Sequence, residues 1–275
     1  MINCNYLRFN ENIVFQTVVS EKNRPGKPVL IAITPRVLKV YDLYLNKFST
    51  LEAKSSSEFL AKENTEKDCL QLCYSSPTST FDIVIGKIYN SQPDQLKAFC
   101  PYCLLDKPST LDHYIGQTEF PEYSILLKNL VPCCYDCNQK KGQKWRLNNL
   151  RRFIHFYNDT FISNRFLYAV FIFSPGVSTP KIHYYLRKHP NISYSEYRII
   201  KSHFKDLGLL NEYNTRANSL VSSEIEVLLH AIIGGQTRGQ LISNLRRRFT
   251  SLSSRFGSNY WNAVMYETIA NSTLF

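Results

Sequence analysis

Five of the chain's eight cysteines lie between residues 100 and 137, and their spacing is typical of a zinc site. In each of two pairs, Cys100 with Cys103 and Cys134 with Cys137, two residues separate the thiols, so both can reach one tetrahedral Zn²⁺ at ~2.3 Å. Cys133 competes with Cys134, but it lies one residue further from its partner, so we expect a buried or free thiol there. A redox CxxC motif occurs singly and after a βαβ strand, which this sequence lacks. The sequence therefore predicts a closed structural zinc site with four cysteine ligands.

The segment between the two cysteine pairs predicts a strand, a long loop, a second strand and a helix. Apolar and β-branched residues at 109–115 favour a short strand with Asp112 and His113 on opposite faces. Residues 129–132 form the second extended piece, and a helix is expected over 135–141, ending at a glycine. Zinc would then tie the entry of the first strand to the start of the helix.

These residues, in this order, resemble the HNH, or ββα-metal, endonucleases of the zinc-clamped subclass. The resemblance covers residues 97–146. It is carried by the CxxC pair, by Asp112-His113, by Asn129-Leu130 and by the CxxCNxxKG motif that begins at Cys134. It implies an α+β fold built around a zinc-stabilised ββα-metal core, and a metal-dependent endonuclease that acts on DNA.

The resemblance also assigns roles to individual residues. It implies that His113 is the general base and that Asp112 and Asn138 hold a catalytic Mg²⁺ or Mn²⁺ ion. Asn129 would orient the catalytic loop. One departure is Gly116, where the family commonly has proline, which could loosen the loop after the first strand but removes no reacting group.

Elementary chemistry agrees with these roles. An imidazole with a pKa near ~6.5 can take a proton from water at neutral pH, and hard oxygen ligands suit Mg²⁺ or Mn²⁺. Because two protein ligands are few, we expect the site to bind its cation weakly until a phosphate completes the coordination. Basic residues that follow the motif could supply phosphate contacts. They are Lys140, Lys141, Lys144 and Arg146.

Two alternatives remain open at this point. The first is an RNA or tRNA nuclease on the same core, because nothing in the motif recognises the 2′-hydroxyl group. The second is a zinc ribbon without catalysis that binds nucleic acid or another protein through the same four cysteines. An acid-histidine dipeptide and a Cys-Asn pair in register favour catalysis over a ribbon, since a ribbon needs neither.

Composition and charge indicate a globular protein with a polyanionic partner. Apolar residues make up 44% of the chain and the formal net charge is +11. Residues 151–275 carry 15 Lys and Arg against 7 Asp and Glu, a net charge of 15 − 7 = +8. This charge favours nucleic acid as a partner but also fits a membrane-surface protein or a soluble protein without a polyanionic partner. The longest apolar stretch, 166–173, is far below the ~20 residues of a membrane span, and the first residues do not resemble a signal peptide. We therefore expect no membrane association and a cytoplasmic protein.

The rest of the chain predicts three regions. Residues 1–95 form a mixed α/β region with a strand at 28–33 and a helix at 36–48, residues 96–150 form the HNH module, and residues 151–275 form a basic, mostly helical region. In the last region we expect a buried strand or helix over residues 167–173. A capping box at 193–196 opens a helix that ends at Gly208, and further helices are expected at 222–233, 240–256 and 260–270.

The sequence also resembles a group of bacterial HNH proteins of about this length that act in antiphage defence. Segments at 203–213 and 259–272 look like those of the nucleases in Septu-type systems, including retron-associated ones, in which the nuclease is paired with an ABC-like ATPase. The sequence contains no GxxxxGK[ST] nucleotide-binding motif of its own. The resemblance thus implies a separate ATPase subunit as a partner.

Overall fold

The computed structural model describes residues 1–54, 56–60, 65–173 and 180–272. It confirms the α+β class, with helices and three small antiparallel sheets. The chain divides into two compact units, one formed by Cys4–Asn158 and the other by Met1–Asn3 with Asp159–Phe275. The regions expected at 1–95 and 96–150 therefore fall, apart from the first three residues, into a single unit.

The first unit begins with helices. They are α1 (Glu11–Glu21), α2 (Gly26–Asn46), α3 (Thr65–Ser75), α4 (Ser79–Asn90) and α5 (Asp94–Ala98), with a 3₁₀ helix at Phe48–Ala53. All regular elements among the described residues of 1–95 are helical, so the expected mixed region and its strand at 28–33 are wrong. The apolar run at 29–33 is rich in β-branched residues, which favour a strand. In the structure, however, Leu30, Ile33 and Val37 are buried at helical spacing along α2.

The next elements follow the sequence prediction closely. Strand β1 (Thr110–His113) pairs antiparallel with β2 (Leu130–Cys133), so that Asp112 lies opposite Val131 and His113 opposite Leu130. Helix α6 (Tyr135–Lys141) comes directly after β2 and ends at Gly142, whose φ of 52° is a conformation that favours glycine. A short hairpin of β3 (Arg146–Leu147) and β4 (Leu150–Arg151) follows.

In the second unit, the described residues form α-helices that pack with a hairpin. Strands β5 (Leu167–Ile172) and β6 (Lys181–Leu186) pair antiparallel, and α7 (Tyr194–Leu207), α8 (Leu209–Ile233), α9 (Arg238–Phe256) and α10 (Trp261–Ala270) follow. The capping box at the start of α7 is confirmed. The predicted segment 167–173 is a strand through Ile172, although several of its side chains are exposed and not buried. Helix α8 starts earlier than predicted, because the left-handed Gly208 ends α7 and opens α8.

The described residues contain no helix that is both long enough and apolar enough to span a bilayer.

Candidate active site

Four cysteine thiols converge at the junction of β1, β2 and α6. The sulfur atoms of Cys100, Cys103, Cys134 and Cys137 all lie within 4.8 Å of one another, and all four residues are buried. Cys134 is the N-cap of α6 and Cys137 lies in its first turn, while Cys100 and Cys103 lie in a tight turn before β1, in which the Leu104 amide donates to the carbonyl of Cys100 at 2.7 Å. The cluster has the residue types and the compactness to hold one zinc ion.

Hydrogen bonds couple the four thiols to one another. Hydrogen bonds from Cys100 and Cys103 lower the pKa of Cys134 far below its ordinary value, while burial raises the pKa of Cys100. The sulfur of Cys134 thus accepts hydrogen bonds from neighbouring thiols. A metal cation bound by the four sulfurs would replace these thiol protons. Cys133 is a buried thiol outside the set, as expected, and donates to the carbonyl of Cys134 at 3.1 Å.

A cleft of about 690 Å³ opens beside this cluster. Asp112 and His113 from β1 and Asn138 from α6 line it, together with residues of α3 and α4 and the loop glutamines Gln117 and Gln143. The residues that the sequence predicts for catalysis and for a divalent cation therefore lie around one cavity. Asn129, the fourth predicted catalytic residue, lies behind the cleft wall and not in the lining.

The imidazole of His113 is held in one orientation. Its Nε2 lies 2.9 Å from the carbonyl oxygen of Ser124, which can only accept, so Nε2 carries the proton and Nδ1 is the acceptor. The ring packs edge-on against Tyr74 with 4.4 Å between centroids. Among the described residues none donates to Nδ1. Burial lowers the pKa of His113 to about 4, so at pH 7 the ring is neutral and Nδ1 can accept a proton.

Asp112 is buried and already paired. Its Oδ1 accepts from Lys141 Nζ at 2.9 Å, and its Oδ2 accepts from the hydroxyl of Tyr102 at 2.7 Å. The side chains of Asp112 and Lys141 are 1% and 0% exposed. Tyr102 was not foreseen from the sequence, although its position inside the first cysteine pair places it next to β1.

Asn138 has an uncommitted oxygen. Its Nδ2 donates to Thr110 Oγ1 at 3.0 Å, which orients the amide, and its Oδ1 accepts no hydrogen bond from any described residue. Because Asn138 lines the cleft, this oxygen is available for a cation or a ligand.

Asn129 fixes the loop that follows β1. Its Oδ1 accepts from the Ile115 amide at 2.8 Å and from the Tyr44 hydroxyl at 3.1 Å. Its Nδ2 donates to the carbonyls of Ile115 and Tyr123 at 3.0 and 3.1 Å. The contacts are those of a residue that orients a loop. The loop also explains Gly116, since a Cβ there would lie 3.0 Å from the carbonyl oxygen of Gln143.

We expect Asn129→Asp to lower the melting temperature and activity together while zinc content stays unchanged. An aspartate retains the two acceptor contacts but sets a carboxylate oxygen against the buried carbonyls of Ile115 and Tyr123, which costs about 1–3 kcal/mol or more. Thermal melts and zinc analysis of the purified variant would measure this. Asn148→Asp, at an exposed position, is the matched control, and an Asn129→Asp protein as stable as wild type would contradict the proposed role.

The four basic residues predicted to contact phosphate divide into two classes. Lys144 is exposed, and Lys140 is half-buried beside Asp136. Lys141 and Arg146 were predicted wrongly, because both are committed inside the protein. Lys141 is fully buried against Asp112, and Arg146, 10% exposed, pairs with Glu119 and donates to the carbonyl of Glu52 at 2.7 Å.

Comparison with known proteins gives one distant relative. No family model matches the chain, and no solved structure matches it. The chain is similar to a phage protein. Over 199 residues it is 29% identical to protein ea31 of Escherichia phage lambda, an alignment that covers 64% of this chain and 62% of that protein. The match thus spans less than two thirds of the relative's length, and the relative's name states no activity.

Proposed function

We propose that the chain is a metal-dependent HNH endonuclease that hydrolyses phosphodiester bonds of DNA. The observation that carries the proposal is the cleft at the zinc-compatible cluster. There His113 presents an unbonded ring nitrogen, and Asn138 presents an unbonded amide oxygen. A ribbon that only binds needs no buried imidazole of fixed tautomer. The order of motifs in the sequence supports the same assignment.

In the proposed reaction His113 acts on water. As the water oxygen bonds to phosphorus, a proton of the water passes to Nδ1. The other ring proton stays on Nε2, which donates to the Ser124 carbonyl and so keeps the ring in place. The bond from phosphorus to the leaving sugar oxygen then breaks, and that oxygen takes up a proton from solvent water. Asn129 holds the loop after β1 so that the ring keeps its direction.

The residues around the cleft fit a divalent cation in chemical type. Asp112 and Asn138 would hold Mg²⁺ or Mn²⁺ through oxygen atoms, as the resemblance implies. Such an ion would neutralise negative charge on the phosphate. Asn138 Oδ1 is open to it, whereas each oxygen of Asp112 has one hydrogen-bond donor already and accepts a cation through its remaining lone pairs.

DNA is the proposed substrate, with RNA or tRNA as the alternative that the same chemistry allows. We further propose that the nuclease acts in the cytoplasm as the effector of an antiphage defence system with an ABC-like ATPase subunit. The resemblance of its sequence to Septu-type nucleases supports this. Co-expression with a candidate ATPase and size-exclusion chromatography would test the partnership.

The nuclease proposal is tested by incubating zinc-loaded protein with supercoiled plasmid, single-stranded DNA and total RNA. Each reaction is run with Mg²⁺, with Mn²⁺ and with EDTA. We expect cleavage of DNA only with a divalent cation present. Cleavage of RNA alone would favour the RNA nuclease, and binding of nucleic acid without cleavage in any condition would favour the non-catalytic module.

We expect Lys140→Ala combined with Lys144→Ala to weaken DNA binding regardless of sequence. Each lost phosphate contact reduces the slope of log K against log salt by about 0.9, so the double variant should change the slope by up to about 2. Binding measured by fluorescence anisotropy over a salt series would show this. Lys97→Ala on α5 is the control, because Lys97 pairs with Asp94 as Lys140 pairs with Asp136 but lies outside the segment 134–146. An unchanged slope in the double variant would exclude both lysines from phosphate contact.

A further inference from the structure

A buried ammonium group lies at the carboxylate that is expected to bind metal. Lys141 Nζ is 2.9 Å from Asp112 Oδ1 and 2.8 Å from the backbone carbonyl oxygen of His113. The lysine side chain is fully buried. Aromatic rings of Tyr114 and Phe153 lie 5.9 and 5.7 Å from the nitrogen, within cation-π range. The ammonium group is therefore surrounded by oxygen acceptors and aromatic rings, which stabilise a positive charge.

The position of Lys141 is fixed by the fold. It is the last residue of α6, which has Cys134 of the thiol cluster as its N-cap and Cys137 in its first turn. The helix is therefore anchored at one end by the cysteines and at the other by the ion pair. A lysine on a solvent-exposed helix face would be free to swing away, whereas this one is enclosed.

The ion pair changes the charge that an incoming metal meets. Asp112 would be a costly unpaired charge in the buried wall of the cleft, and Lys141 neutralises it. A divalent cation that approaches Asp112 then meets a carboxylate already paired with a positive charge, and the like charges repel at short range. In the free protein, Asn138 Oδ1 is the one predicted cation ligand without a donor or cation among the described residues.

We propose that Lys141 determines how tightly the site binds a divalent cation, a proposal that rests on the nuclease function. The ammonium group acts as the resident cation of Asp112. It keeps the affinity of the free protein for Mg²⁺ or Mn²⁺ low, so that the ion binds well only when a nucleic acid phosphate adds negative charge. Lys141 thus sets the affinity of the site for the divalent cation and does not contact phosphate.

The test is a Mn²⁺ titration of zinc-loaded protein without nucleic acid, in which electron paramagnetic resonance measures the concentration of free Mn²⁺. Lys141→Met and Lys141→Gln both remove the charge, and the glutamine keeps a hydrogen-bond donor near Asp112. We expect each to bind Mn²⁺ at least about tenfold more tightly than wild type, because a like charge in contact with the ligand is gone. Lys141→Arg keeps the charge and should bind Mn²⁺ as weakly as wild type.

A double variant identifies the ligand. Lys141→Met with Asp112→Asn should lose the gain in Mn²⁺ affinity, because the uncovered carboxylate is then absent. The melting temperatures of the two uncharged variants, Lys141→Met and Lys141→Gln, are also measured with and without Mn²⁺. A variant that is unfolded alone but folds with Mn²⁺ supports the proposal, since the divalent cation then replaces the ammonium group.

Failure of this proposal is distinct from failure of the nuclease function. If neither uncharged variant binds Mn²⁺ more tightly or is stabilised by it, the role of Lys141 is contradicted even if the protein cuts DNA. If the wild type cuts no nucleic acid but the uncharged variants bind Mn²⁺ more tightly, the competition between Lys141 and the divalent cation for Asp112 is confirmed and the nuclease function is contradicted.

Discussion

Replacing His113 by Ala should reduce phosphodiester cleavage by at least about a hundredfold, because a positioned general base typically contributes 10²–10⁴. The variant loses the only imidazole among the described residues that line the cleft and, with it, the Nδ1 acceptor. Since His113 is not part of the thiol cluster, zinc content should remain that of the wild type. Single-turnover rates with saturating protein would measure the effect without a contribution from product release.

A matched substitution controls for general damage. His183→Ala removes an exposed histidine from β6 in the other unit and should leave the cleavage rate unchanged. Thermal melts of both variants separate catalysis from stability, because His113→Ala also leaves the carbonyl of Ser124 without its donor. A His113→Ala protein that is folded, zinc-loaded and fully active would contradict the proposed base.

Replacing Cys103 by Ser should release zinc and unfold the region around α6. A closed four-thiolate site contributes folding free energy directly, and a serine hydroxyl is a poor zinc ligand. We expect about one zinc per chain in the wild type by elemental analysis, a loss of most of it in the variant, and a melting temperature lower by on the order of 10 °C or more.

Cys133→Ser is the control for this change. Cys133 is buried next to Cys134 but lies outside the four-sulfur cluster, so its variant should keep zinc. The pair of variants also settles which of the two adjacent cysteines is a ligand. Zinc lost from Cys133→Ser and kept by Cys103→Ser would overturn the assignment.

Local sequence patterns were sufficient to predict the elements of the site. The two CxxC pairs, the extended residues around Asp112 and the glycine that ends α6 each depend on neighbours in sequence, and the structure agrees with all three. The capping box at Ser193 and Glu196 succeeded for the same reason. The failure at residues 28–33 is also local, since a short β-branched run has the same composition in a strand and in a buried helix.

Side-chain depth could not be predicted in this way. Asp112 and Lys141 are 29 residues apart, and their pairing requires that the end of α6 lie against β1, which no spacing rule gives. The sequence placed Lys141 among exposed phosphate contacts because lysines are seldom buried without a partner. Tyr74, which supports the ring of His113 from α3, gave no sequence signal because its helix lies outside the motif.

We propose that the cleft activates water to hydrolyse a phosphodiester bond, with His113 as the base. Cleavage of a defined DNA duplex in ¹⁸O-labelled water with Mg²⁺, followed by mass spectrometry of the new ends, tests this directly. We expect one labelled oxygen in each new terminal phosphate from the wild type, and almost no cleavage by His113→Ala prepared in parallel. Cleavage products without label, or equal cleavage by His113→Ala, would contradict it.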